Sequence, residues 1–148
     1  KITDMQAACA LAQLKKAPNF IQKRKENFEF LKKRLESCSE YLQLPIPTDN
    51  SEPSWFGFPI TLKENATFSR LELTTYLDQN KIGTRLLFAG NLVRQPYMKD
   101  VQYRISGTLK NTDNVMSNTF WIGVQPALTE EMLDFVVTKI ETYLGVNF

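Results

Sequence analysis

Apolar residues recur along the chain with two different periods, and the alternation between them outlines the elements. Over residues 4–16 the positions Met5, Ala8, Cys9 and Ala12 repeat at helical spacing in an alanine-rich segment suited to close packing. Thr3 and Gln6 have the spacing of a capping box at its start. Pro18 interrupts the chain, and a second helix is predicted over 19–37, with Phe28, Leu31 and Leu35 on one face. Residues 44–54 hold Pro45, Pro47 and Pro53 beside Asp49, Asn50 and Ser51, the composition of a connecting segment.

An aromatic strand follows over 55–62, where Pro59 argues for an edge position or a bulge. Ser69 and Glu72 repeat the capping-box spacing and open a helix through Leu73 and Leu77 to about Gln79. Residues 83–97 begin like a strand and end like a loop. Residues 101–105 are expected to form a short strand, 111–117 a helical turn, and 120–124 a buried-type strand ended by Pro126. Thr129 caps a last helix with Leu133, Val136, Val137, Ile140 and Leu144 on one face, and Gly145 ends it. Helices on one side of a short, mainly antiparallel sheet make the expected fold α+β.

Composition narrows the chemistry. At 148 residues with 43% hydrophobic content, the chain fits one domain with a real core. Its net charge of +2 is compatible with an anionic small molecule and does not point to nucleic acid. The second helix carries Lys23, Arg24, Lys25, Lys32, Lys33 and Arg34, but Glu26, Glu29 and Glu36 are interspersed, which favours a solvated face over a phosphate-binding one. Cys9 and Cys38 lack metal-ligand spacing and read as reduced thiols packed like small hydrophobes. Without any histidine, an imidazole zinc site or a histidine-dependent triad cannot be built from these residues. No metal site is expected. No apolar run approaches the roughly 20 residues that a membrane-spanning helix needs.

The densest chemistry lies in residues 83–97. Arg85 and Arg94 offer planar forks of donors suited to phosphate or carboxylate. Asn91, Gln95 and Tyr97 can hydrogen-bond sugar hydroxyls, or simply fasten the loop. Gly83 and Gly90 permit tight turns, and Pro96 stops any regular element. Arg94 is the first candidate for substrate contact, against a structural ion pair. Arg85 is expected to be an anchoring ion pair, Arg104 is a further basic candidate, and Phe88 and Trp121 are expected in core or interface packing.

These signals, in this order, resemble the C-terminal part of the sugar-aminotransferase superfamily (the DegT/DnrJ/StrS type), pyridoxal-phosphate enzymes of fold type I. Residues 2–8, then Leu11, Gln13 and Leu14, look like that family's Met-x-Asp/Glu-x-Gln-Ala-Ala helix, with Ile2 in place of the methionine. Within the superfamily, Gly83 to Leu92, the run Arg94-Gln95-Pro96-Tyr97, and Phe120-Trp121-Ile122-Gly123 resemble the CDP-4-keto-6-deoxy-D-glucose 3-dehydrases of lipopolysaccharide O-antigen synthesis. Those enzymes commonly read Asp-Arg-Ile-Met where this chain has Asp113-Asn114-Val115-Met116. Asn114 at that position is a further substrate-binding candidate; if the family's arginine serves the substrate, its role here is lost or taken by Arg94 or Arg104.

The resemblance implies the small C-terminal domain of a longer cytoplasmic enzyme, with residues 1–40 leading in as two helices from a large cofactor-binding domain. It implies deoxygenation at carbon 3 of a CDP-linked keto sugar with pyridoxamine or pyridoxal phosphate. It further implies a homodimer, an iron–sulfur cluster in the parent with no ligand in this chain, and an iron–sulfur flavin reductase as partner. No catalytic residue is expected in this chain, whose isolated form should be inactive. A sugar-nucleotide aminotransferase and a non-enzymatic docking module are the alternatives. Opening on a helix cap, the chain is expected to be a piece of a longer protein.

Overall fold

The computed structural model describes residues 1–146. Helix α1 (Asp4–Leu14) is followed by α2 (Ala17–Leu35), a 3-10 turn (Glu36–Cys38) and the two-residue strand β1 (Leu42–Gln43). Then come β2 (Gly57–Leu62), α3 (Arg70–Gln79), β3 (Thr84–Leu86), two 3-10 turns (Leu92–Arg94 and Pro96–Met98), α4 (Lys110–Asn118), β4 (Thr119–Gly123) and α5 (Glu130–Leu144). The strands form one antiparallel sheet in the order β1-β2-β4-β3.

Alternation along the strands divides that sheet into two faces. Phe58, Ile60 and Leu62 of β2 and Phe120 and Ile122 of β4 point inward, each at most 4% exposed. Against them pack Phe28, Leu31 and Leu35 from α2, Leu73 and Leu77 from α3, and Leu133, Val137 and Ile140 from α5. Every one of these helical positions belongs to an apolar face visible in the sequence. The capping boxes form as expected: the Gln6 amide donates to Thr3 Oγ1 and the Glu72 amide to Ser69 Oγ. Gly145 ends α5 in the left-handed conformation.

The basic face of α2 is largely tied down within the chain. Arg34 pairs with Asp134 of α5, Lys25 pairs with Glu52, and Lys23 lies 3.6 Å from Glu26. Arg24 donates to the carbonyls of Trp55 and Phe56 at 3.0 and 3.2 Å. Buried Asn27 donates to the Gln125 carbonyl at 2.9 Å, so the start of the α5 approach is held by α2.

Several expectations change. Residues 101–105 form no strand; they are irregular and exposed, and no strand lies beside them to complete a ladder. Pro18 falls in the first turn of α2, where a missing amide hydrogen costs nothing, so it starts the helix rather than merely separating two. Pro59 sits in a strand that is central in the sheet, yet β1 pairs only with Leu62 and Thr61, so the flank at Pro59 has no strand beside it. Cys38 is buried, and burial pushes its thiol pKa up; Cys9 is exposed instead of packed. The reason is that α1 buries no residue at all, leaving Met5, Leu11 and Leu14 more than half exposed.

Candidate functional site

The loop from β3 to α4 is organised around one carboxylate that the sequence did not mark. Asp113, in the first turn of α4, accepts three hydrogen bonds from a segment about twenty residues earlier. Asn91 Nδ2 donates to its Oδ1 at 2.7 Å, Arg94 Nε to the same oxygen at 3.1 Å, and Arg94 Nη2 to Oδ2 at 3.0 Å. The fork-to-carboxylate geometry is two-pronged and charge-assisted. The hydrogen bond and charge of Arg94, with the bond from Asn91, hold the Asp113 carboxyl below the usual carboxylate range. Reciprocally, Asp113 raises the guanidinium pKa, with Tyr103 contributing a smaller attraction.

Asn91 is only 3% exposed, and its Oδ1 also accepts from the Val93 amide, capping the short 3-10 turn that carries Arg94. Gln95 Nε2 donates to the Ala89 carbonyl at 2.6 Å, closing the loop on itself. Gly90 has φ +63°, and a Cβ there would meet Met116 Cγ at 2.6 Å, so α4 and the loop approach as closely as a glycine allows. Gly83, by contrast, keeps an ordinary backbone conformation and borders open space.

Among the expected site residues, Asn91, Arg94 and Gln95 are therefore brought into one polar clamp. Tyr97 lies on the following turn, 64% exposed. Arg104 is in the irregular exposed stretch. Asn114 projects from α4 beside Asp113 but bonds along its own helix, accepting from Asn118 Nδ2 at 2.7 Å. Arg85 stands apart on β3 and, among the described residues, makes no ion pair. The anchoring role expected of it fails because its cross-strand neighbour is Trp121 rather than a carboxylate. Phe88 and Trp121 are not core residues either. Phe88 is exposed with φ +50°, and Trp121 is half-buried on the face of the sheet away from α2, α3 and α5.

A cavity of about 760 Å³ forms a groove between α5 and the ends of β3 and β4, floored by Ile82, Leu128, Met132 and Val136. None of the candidate residues lines it, and its apolar floor suits no charged nucleotide. Nor do the residues present form a cradle for a pyridoxal-type cofactor. Such a cofactor needs an enclosed pocket with donors converging on its phosphate, whereas Lys81 sits exposed at the groove and Lys25 is engaged by Glu52. The clamp spends the donors of Asn91, Arg94 and Gln95 on partners within the chain and gives the loop that carries them a fixed shape.

Residues 1–141 match the DegT/DnrJ/EryC1/StrS aminotransferase family. The chain is 60% identical over 148 residues to the lipopolysaccharide biosynthesis protein RfbH of Salmonella typhimurium, covering all of this chain and 34% of that protein. It is 45% identical over 145 residues to the dTDP-4-dehydro-2,6-dideoxy-D-glucose 3-dehydratase of Saccharopolyspora spinosa, covering 98% of this chain and 31% of that one. Among solved structures, the Escherichia coli GDP-4-keto-6-deoxy-D-mannose-3-dehydratase with bound hydrated PLP superposes with a TM-score of 0.82. It shares 26% identity over 91% of this chain and 34% of that one. The chain thus spans about a third of the length of the relatives it matches.

Proposed function

The chain belongs to the DegT/DnrJ/EryC1/StrS aminotransferase family, and from that premise we propose that it is the small C-terminal domain of a sugar-nucleotide 3-dehydrase. Its fold is that of the small domain in fold type I pyridoxal-phosphate enzymes. The whole enzyme would remove the carbon-3 hydroxyl from a CDP-linked 4-keto-6-deoxyhexose during O-antigen synthesis. The observation that carries this reading is the similarity of the whole chain to a lipopolysaccharide biosynthesis protein and to a 3-dehydratase, within which the Asp113 clamp gives the loop bearing Arg94, Gln95 and Tyr97 a fixed shape.

Cofactor chemistry in this scheme is supplied by the rest of the protein, and no step of it falls on these residues. The contribution of this chain is to bind and orient. Arg85, Arg104 and the remaining nitrogen of Arg94 present positive charge to the diphosphate, while Asn91, Gln95 and Tyr97 shape the loop beside the sugar; Asn114 is too far committed to its own helix to replace a guanidinium. The bare face of α1 supports a large domain packed against it. An 11-residue helix gains little stability by itself in water, so its apolar side calls for a cover. The parent enzyme is read as a cytoplasmic homodimer served by an iron–sulfur flavin reductase, with any cluster ligands outside this chain.

The test is product analysis with the full-length protein, pyridoxamine phosphate, CDP-4-keto-6-deoxyglucose and an iron–sulfur flavin reductase supplied with its electron donor. Mass spectrometry should detect loss of oxygen from the sugar. Appearance of an amino sugar with glutamate as donor would assign the enzyme to transamination instead, the reading that the family description also accommodates.

A further inference from the structure

The face of the sheet opposite the packed helices holds an indole fixed in an unusual attitude. The six-membered ring of Trp121 lies over Gly57 of β2, so closely that a Cβ on Gly57 would fall 2.2 Å from Cε3 and 2.9 Å from Cζ3. At its other edge, Trp121 Nε1 donates to the Leu86 carbonyl of β3 at 3.2 Å. β2 and β3 flank β4 on opposite sides. An indole touching both must lie flat along the sheet, one π face inward and the other outward. Phe56 stands at one end, its ring 5.0 Å away and inclined by 52°, itself 68% exposed. The result is a floor and a wall of aromatic surface.

Charge on this face has one sign. Arg85 is the direct cross-strand neighbour of Trp121 and so projects on the same side, and the strand positions sharing that side carry no carboxylate. A flat π surface with a wall and an adjacent guanidinium suits an aromatic ring bearing phosphates. We propose that Trp121, Phe56 and Arg85 form the base subsite for the nucleoside diphosphate, with the base stacked on the outward face of the indole and Arg85 directed at the diphosphate. This rests on the sugar-nucleotide reading above and adds to it where the nucleotide is held.

The experiment measures binding alone, by calorimetry, in the full-length protein and its Trp121→Ala, Trp121→Phe and Phe56→Leu variants. CDP, which has the base but no sugar, is compared with a hexose 1-phosphate, which has the sugar but no base, and with pyridoxamine phosphate. Stacking energies of single bases correspond to an affinity loss of roughly five- to a hundredfold. Trp121→Ala should lose that much for CDP, Trp121→Phe should recover most of it, and the other two ligands should bind as before. Unchanged CDP affinity in Trp121→Ala overturns the proposal, as does an equal fall for hexose phosphate or cofactor. Should Trp121→Ala not fold, Phe56→Leu decides: wild-type CDP affinity there has the same consequence. Because no turnover is read, an enzyme that proves to transaminate leaves this test intact, so the two readings fail separately.

Discussion

The two faces of the sheet are held by different physics. On the inner face, Phe58, Ile60, Phe120 and Ile122 meet α2, α3 and α5 through apolar contact without direction, where volume and pattern decide the outcome. On the outer face, the glycine beneath Trp121 and the bond from its Nε1 to the Leu86 carbonyl fix the arrangement, and direction matters more than area. Burial stabilises the first face and leaves it chemically silent. The second is less buried and holds its indole by a close backbone approach and a directed bond.

The sharpest way to strain the comparison is to cut each face once. Phe120→Ala empties a fully buried site and should cost about 3–5 kcal/mol, read as the urea midpoint of unfolding. A loss under 1 kcal/mol would mean that the inner face is not the stabilising one. Gly57→Ala pushes Trp121 off its bed and should cost about 1–3 kcal/mol, with the indole fluorescence shifted toward that of solvent. If stability and fluorescence both stay put, the flat indole is not held there.

Asp113→Ala should leave overall stability close to wild type while hydrogen exchange speeds up across residues 88–98. Protection unchanged in that segment would show that the clamp does not hold the loop. Acid provides a milder version of the same cut. The Asp113 carboxyl is depressed when folded, so its contribution is complete above the ordinary aspartate pKa of about 3.9 and is lost as pH falls through the lower folded value. Loop exchange, corrected for its intrinsic pH dependence, should therefore stay constant from pH 7 to about 5 and rise only in stronger acid. The smallest effect belongs to α2: Glu26→Gln removes an exposed pair with Lys23 and should change stability by no more than about 0.5 kcal/mol.

The inner face was legible in the sequence because period carries it. Leu73 and Leu77, or Leu133, Val137 and Ile140, identify a buried stripe without knowledge of what lies opposite, and the capping boxes at Thr3 and Ser69 mark helix starts locally. The outer face and the loop clamp were not, because their contacts join positions far apart in the chain. Nothing near Asp113 announces that Asn91 and Arg94 converge on it, and Trp121 reads as core until Gly57 is seen beneath it. Strand β1 is two residues long, too short for any period, and residues 101–105 alternate like a strand but have no neighbour to pair with. The family's characteristic segment was recognisable all the same, since Arg94, Gln95 and Asn91 were singled out by residue type before their partner was known.

The position of α5 has a consequence for biosynthesis. Leu133, Val137 and Ile140 complete a core that α2 opens about a hundred residues earlier, and Asp134 ties α5 back to Arg34. A nascent chain leaving the ribosome cannot close this hydrophobic layer until its last helix has been translated. Until then the apolar sides of α2 and the strands stay in water, within reach of chaperones, and a premature stop codon anywhere before α5 yields a polypeptide that never shields them.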